Sequence, residues 1–139
     1  MSDTKDVATR FLATLDALSR SEVEWPAVHA LLAPGFRAHM PGAEPVDAAG
    51  FAAALQPFLD AFPGYRHEIV DQIAEGDRVA TRIVWHATHR GEFLGIPASH
   101  VSFVMDEMNI VRVRDGRITD FWPAFDVPSM MKAIQPAAS

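Results

Sequence analysis

The sequence predicts an α+β domain in which helices cover an antiparallel sheet, and the sheet closes over an apolar small-molecule pocket. Three observations predict it. Apolar residues recur near every 3.6 positions up to about residue 62 and alternate with polar ones from residue 65 onward. The change falls at Pro63-Gly64, a strong local breaker. The 139 residues, 49% of them hydrophobic, suit one domain (1–139) with a sizeable core, its ends frayed at about 1–4 and 135–139.

The elements follow in order. Residues 4–20 read as a helix, because Val7, Phe11, Leu15 and Leu18 form one stripe that Ala8 and Leu12 widen. A short helix fits 26–32, opened by Pro26 and ended by Pro34-Gly35. Residues 36–40 are a short extended piece. Asp47 caps a helix to about Phe62, with Phe51, Leu55 and Phe58 on its apolar face. Strands are expected at 65–74, 78–90, 101–113 and 118–125. The Glu75-Gly76-Asp77 turn joins the first two, and the Asp115-Gly116 hairpin joins the last two. Asp126 is read as the cap of a last helix running to about Ile134, with Pro128 in its first turn. Helices segregated from an antiparallel meander make a two-layer α+β domain.

Composition narrows the function. The formal net charge is −6, and no Lys/Arg cluster offers the cations that nucleic acid needs. No apolar run approaches the roughly 20 residues that span a bilayer, so no membrane partner is expected. The polar start, 1–5, lacks a signal-peptide layout, and a cytoplasmic location is expected. There is no cysteine and no HExxH among the six histidines, so neither a metal nor a cofactor is expected. His86 and His89 fall on opposite faces of their strand.

Strand alternation sorts the candidate site residues. On the 101–113 strand, Phe103, Met105, Glu107, Asn109, Val111 and Val113 share the more apolar, inward face. Trp85 and His89 share the inward face of their strand, His89 at its end near a pocket rim. Phe121, Pro123 and Phe125 share one face of the last strand. Glu107 and Asn109 thus sit together on an apolar surface. A carboxylate there costs several kcal/mol unless paired, solvated or protonated. Burial raises its pKa toward the range that suits an acid/base. Two readings of Glu107 stand: an acid/base, or a structural partner of an arginine or a helix-end amide. Asn109 either donates to a substrate oxygen or bridges backbone groups. His39 either faces the pocket or lies solvated in a loop. The predicted pocket lining is Leu15, Trp85, His89, Phe103 and Met105 with Phe121, Pro123 and Phe125. The opposite sheet face, with Val104, Met108, Ile110 and Ala124 beside Asp106 and Trp122, is too apolar to stay solvated, and a homodimer through it is expected.

Several segments carry a resemblance. Thr88-His89-Arg90-Gly91-Glu92-Phe93-Leu94-Gly95-Ile96-Pro97, the run Arg114 to Trp122 followed by Asp126, and Leu31 to Phe36 with His39 and Pro41 resemble the SnoaL-like polyketide cyclases. The resemblance implies the cone-shaped fold of the nuclear-transport-factor-2-like superfamily, shared with ketosteroid isomerases and limonene epoxide hydrolases. It implies a deep apolar pocket, commonly in a homodimer, and metal-free intramolecular aldol ring closure. In the cyclases an aspartate just after the position of Trp122 acts as acid/base, assisted by a histidine on the preceding strand. Counted without gaps from the Asp-Gly turn, Pro123 takes the place of that aspartate and Asn109 that of the histidine. Ala98-Ser99-His100 shortens the loop where the family has a Pro-Thr-Gly segment and a basic residue.

Three functions fit these residues. One is a cofactor-free cyclase or isomerase for a polyketide- or terpenoid-like substrate, or an epoxide hydrolase, with Glu107 as acid/base, Asn109 as donor, and His39 or His89 assisting. The second is a pocket that closes rings by folding the substrate into a reactive shape. The third is a non-catalytic binding or association module.

Overall fold

Among residues 3–135, which a computed structural model describes, there are four helices and five strands. The expectation of frayed ends falls outside that range for residues 1, 2 and 136–139. Within it, Asp3 accepts from the Lys5 N–H and caps α1 (Thr4–Ser19). α2 spans Trp25–His29 and β1 Leu32–Ala38, so the second helix ends earlier than its pattern suggests. The reason is that the Leu31 carbonyl is taken by the Ile118 N–H, which draws the chain into the sheet. Asp47 accepts from the Gly50 N–H and caps α3 (Ala48–Ala61).

The meander consists of β2 (Arg66–Glu75), β3 (Arg78–Thr88), β4 (Ser102–Arg114) and β5 (Arg117–Phe125). Asp115 and Gly116 both take positive φ, 52° and 74°, as the tight β4–β5 hairpin requires. Asp126 accepts from the Ser129 N–H and caps α4 (Val127–Ile134). The sheet order is β1-β5-β4-β3-β2. One expectation needs correction here: the sheet is mixed, not wholly antiparallel. β1 adds to the free edge of β5 in parallel, with a register shift between Leu32 and Arg37 around Pro34, which has no N–H to give. A second shift, between Ile69 and Asp71, bends β2.

Burial follows the predicted alternation. Met105, Glu107, Asn109, Val111 and Val113 are buried on β4 while Val104, Met108 and Ile110 are exposed. Two apolar clusters result. One joins α1 and α3 to the sheet through Phe11 and Phe51, whose rings both meet that of Phe121 edge-on. The other joins the end of α3 and α4 to the far ends of β3 and β4 through Phe62, Trp85 and Met130. β3 stops at Thr88 rather than at Arg90, because the Arg90 and Gly91 N–H groups both donate to the Ala61 carbonyl at the end of α3. No helix among the described residues is long and apolar enough to cross a membrane.

A Cβ at Gly91 would run into the Asp60 carbonyl, which is backbone and cannot move aside cheaply. Gly91→Ala is therefore expected to cost about 1–3 kcal/mol in urea unfolding.

Candidate active site

A cavity of about 50 Å³ lies where the two apolar clusters meet. That is room for a few waters. Leu15, Phe51, Leu55 and Phe58 wall it from the helices, and Trp85, Met105, Phe121, Pro123 and Phe125 from the sheet. Met40 and Met130 complete the apolar wall. The polar groups in the wall are those of Tyr65, His67 and Glu107.

Cross-strand register explains the grouping. His67 pairs with Trp85, and Trp85 with Met105, in one row. Ile83, Glu107 and Phe125 form the next row, and Thr81, Asn109 and Pro123 the one after. Glu107 therefore stands beside the His67 row with apolar neighbours on both flanking strands. It is 8% exposed.

α1 supplies the remaining member. Asp16 Oδ2 accepts from the His67 backbone N–H at 3.0 Å, and Oδ1 lies 2.6 Å from His67 Nδ1. The other ring nitrogen, Nε2, lies 3.8 Å from Glu107 Oε1. That separation exceeds a hydrogen bond but keeps the two groups in electrostatic contact. With Nδ1–H given to Asp16, a neutral His67 presents an acceptor at Nε2 toward Glu107. The order is carboxylate, imidazole, carboxyl, running from the helix to the pocket wall. Ser19 anchors this end of α1: its hydroxyl donates to the Tyr65 carbonyl at 3.1 Å, and its own carbonyl accepts from the Gly64 N–H.

Burial pushes the Glu107 carboxyl above its ordinary range. The His67 charge pulls it back part of the way, and Asp16 adds to the rise. Neither structural role foreseen for Glu107 is present, since no arginine and no helix-end amide holds it among the described residues.

The other predicted residues divide. Leu15, Trp85, Met105, Phe121, Pro123 and Phe125 line the cavity with Glu107. Asn109 is buried on the same face, but it stands outside the wall, and its Nδ2 has no partner among the described residues. Three placements need correction. His39 turns away from the pocket: its Nε2 lies 3.0 Å from Asp120 Oδ1, and its ring stacks on Trp122 of the outer face, centroids 4.6 Å apart. The cause is that β1 sits outside β5, so the residue after it reaches Asp120 rather than the cavity. His89 is wholly buried rather than at a rim. Its Nδ1 accepts from the Ser99 N–H and so pins the 89–101 loop. Phe103 packs edge-on against Phe62 and Trp85 instead of lining the cavity.

Asp16, His67 and Tyr65 were not foreseen as site residues. A signal existed for the two on the β2 side, since alternation from Tyr65 through His67 to Ile69 puts all three on the inward face. Asp16, four residues after Leu12, borders the apolar stripe of α1.

Comparison with known proteins agrees with this fold. A family model described as SnoaL-like polyketide cyclase matches residues 7–134. The chain is 27% identical over 128 residues to the aklanonic acid methyl ester cyclase DauD of Streptomyces sp. (strain C5), covering 90% of this chain and 78% of that protein. It is 30% identical over 97 residues to DnrD of Streptomyces peucetius, which bears the same enzyme name, covering 68% and 66%. Its fold superposes on wild-type IdmH from Streptomyces antibioticus with a TM-score of 0.79 at 30% identity, covering 95% and 98%. A SnoaL-like structure from Jannaschia sp. CCS1 superposes with a TM-score of 0.82 at 21% identity, covering 96% and 93%, and shows the fold alone.

The raised pKa of Glu107 has a consequence for stability. A carboxyl with a folded pKa above its unfolded one favours the folded state fully below the unfolded pKa, and that contribution is lost as pH rises through the folded pKa. Glu107→Gln is thus expected to raise Tm at neutral pH. The gain should shrink to nothing below the ordinary glutamate range, as a pH series of melting curves will show.

Proposed function

Since the chain belongs to the SnoaL-like polyketide cyclase family, we propose that it is a cofactor-independent cyclase or isomerase for an apolar, polyketide- or terpenoid-like substrate, with Glu107 as its acid/base. The observation that carries this reading is the placement of one desolvated carboxyl in an otherwise apolar cavity, backed by a histidine that Asp16 holds.

The chemistry is that of an intramolecular aldol closure. Ionised Glu107 takes a proton from a carbon next to a carbonyl, and the resulting enolate attacks a second carbonyl of the same molecule. Protonated Glu107 then returns the proton to the new alkoxide, so no group need be added from outside. His67 tunes this exchange. Its Nε2 faces Glu107 and stabilises the carboxylate when protonated, and Asp16 fixes the ring so that this nitrogen points the right way. The apolar walls hold the substrate folded and keep bulk water from quenching the enolate. Pro123, at the place that an ungapped count gives to the family aspartate, lines the same cavity and has no proton to transfer, so on this reading it supplies only shape.

The relatives named as aklanonic acid methyl ester cyclases support a ring-closing reaction on a carbonyl-rich substrate. Such a molecule exceeds a cavity of about 50 Å³. Binding must therefore displace part of the wall, and the unbranched Met40, Met105 and Met130 are the side chains best suited to move. On the second reading, catalysis by shape alone, Glu107 would be dispensable.

The outer sheet face supports a homodimer as a further part of this proposal. Val70 on β2 and Val104, Met108 and Ile110 on β4 are 40–61% exposed there, with β3 between them. A second copy related by a twofold axis would cover this face with itself.

Two outcomes are expected. Glu107→Gln should lower kcat about 10²–10⁴-fold with little change in KM on a substrate that turns over. It should also remove an acidic limb that lies above the ordinary carboxylate range in the wild-type pH-rate profile. Unchanged kcat and pH dependence would leave shape as the catalyst. Met108→Glu should convert the dimer to a monomer in sedimentation; a dimer that persists would place the interface elsewhere.

A further inference from the structure

Tyr65 ends the α3–β2 connection, and its side chain is part of the cavity wall. The residue is 2% exposed, and its hydroxyl has no hydrogen-bond partner among the described residues. Its ring meets those of His67 and Trp85 at 5.5 and 5.3 Å between centroids, and the Ser19 hydroxyl holds its carbonyl at 3.1 Å. The side chain is thus fixed from both ends while its polar tip is left unsatisfied. A buried hydroxyl without a partner destabilises a fold, and phenylalanine would avoid that cost at the same volume.

We infer that the Tyr65 hydroxyl is a donor subsite for a ligand carbonyl oxygen, bound in the cavity beside Glu107. The inference rests on the cavity being the substrate site, and it adds the group that takes the oxygen end of the substrate. Tyr65 suits the task for three reasons. Burial and the negative charges of Asp16 and Glu107 drive its pKa upward, so it keeps its proton at working pH and has it to donate. Tyr65 and Glu107 both belong to the wall of this one cavity, so one carbonyl compound bound in it can offer its oxygen to Tyr65 and its adjacent C–H to Glu107. The third reason is a process of exclusion: the other unpaired donors on the inward face, Asn109 Nδ2 and His89 Nε2, belong to residues outside the wall. The donated proton stays on Tyr65. Its hydrogen bond strengthens as the carbonyl becomes an enolate, because charge gathers on the oxygen.

The test uses two small probes of the same shape, acetophenone and α-methylstyrene, of which only the first has a carbonyl oxygen. Affinities of both are measured for the wild-type chain and for Tyr65→Phe. The substitution should weaken acetophenone by roughly two- to tenfold relative to α-methylstyrene. The C=O stretch of bound acetophenone should also move to higher frequency in Tyr65→Phe, toward that of an unbonded ketone. Without ligand the variant should melt no lower than the wild type, since no hydrogen bond within the chain is lost. An affinity ratio or a stretch that the substitution leaves unchanged overturns the assignment, as does the absence of ketone binding. Glu107→Gln should keep the ketone preference. A failed acid/base reading therefore leaves this subsite standing, and a failed subsite leaves Glu107 in place.

Discussion

Asp16 takes two hydrogen bonds from a single residue, His67, and the rest of the site depends on that grip. One bond comes from the backbone and fixes the start of β2 against α1. The other comes from the ring and decides which nitrogen looks into the cavity. Ser19 and Gly64 repeat the attachment three residues on, so the end of α1 and the start of β2 behave as one rigid corner. Tyr65 and His67 both stand on this corner. Without it, neither would have a reason to face Glu107, which arrives from β4, forty residues later in the chain.

The cavity exists because two apolar clusters fail to merge at this corner. Aromatic rings from α1, α3 and β5 fill one side, and rings from the end of α3 and from β3 fill the other. The wall there holds side chains that do not close the gap: a histidine, a glutamate, a tyrosine and three methionines. Burying Glu107 here costs stability at neutral pH, and the fold accepts that cost at a single place. A group kept out of water, near one imidazole, can change protonation state in response to a ligand, which a solvated glutamate cannot do with the same selectivity. That links the strain in the fold to its use in chemistry.

Much of this was legible in the residues. Period fixed the helices and strands to within a few positions, and Asp47, Asp115-Gly116 and Asp126 marked their caps and turn by chemistry that acts over three or four residues. Alternation put Glu107 and five of the expected lining residues against the cavity, since a strand buried on one face leaves no freedom in the matter, and the helical period put Leu15 there. The failures were long-range. That β1 runs parallel to β5 depends on an edge left free by the meander, and this edge carried His39 to Asp120 instead of the cavity. His89 and Phe103 lie beyond the pocket because the end of α3 caps that side of the sheet. Asp16 and His67, fifty-one residues apart, share no local pattern that would announce their contact.

The central claim is that Glu107 is a desolvated carboxyl poised against His67 in the cavity wall. Its most direct test is the protonation of Glu107 itself, followed through the carboxyl stretch by infrared difference between the wild-type chain and Glu107→Gln across a pH series. A midpoint clearly above the ordinary glutamate value of about 4.3, moving further up when His67→Gln removes the neighbouring charge, is the predicted result. A midpoint at or below that value, unmoved by His67→Gln, would contradict it.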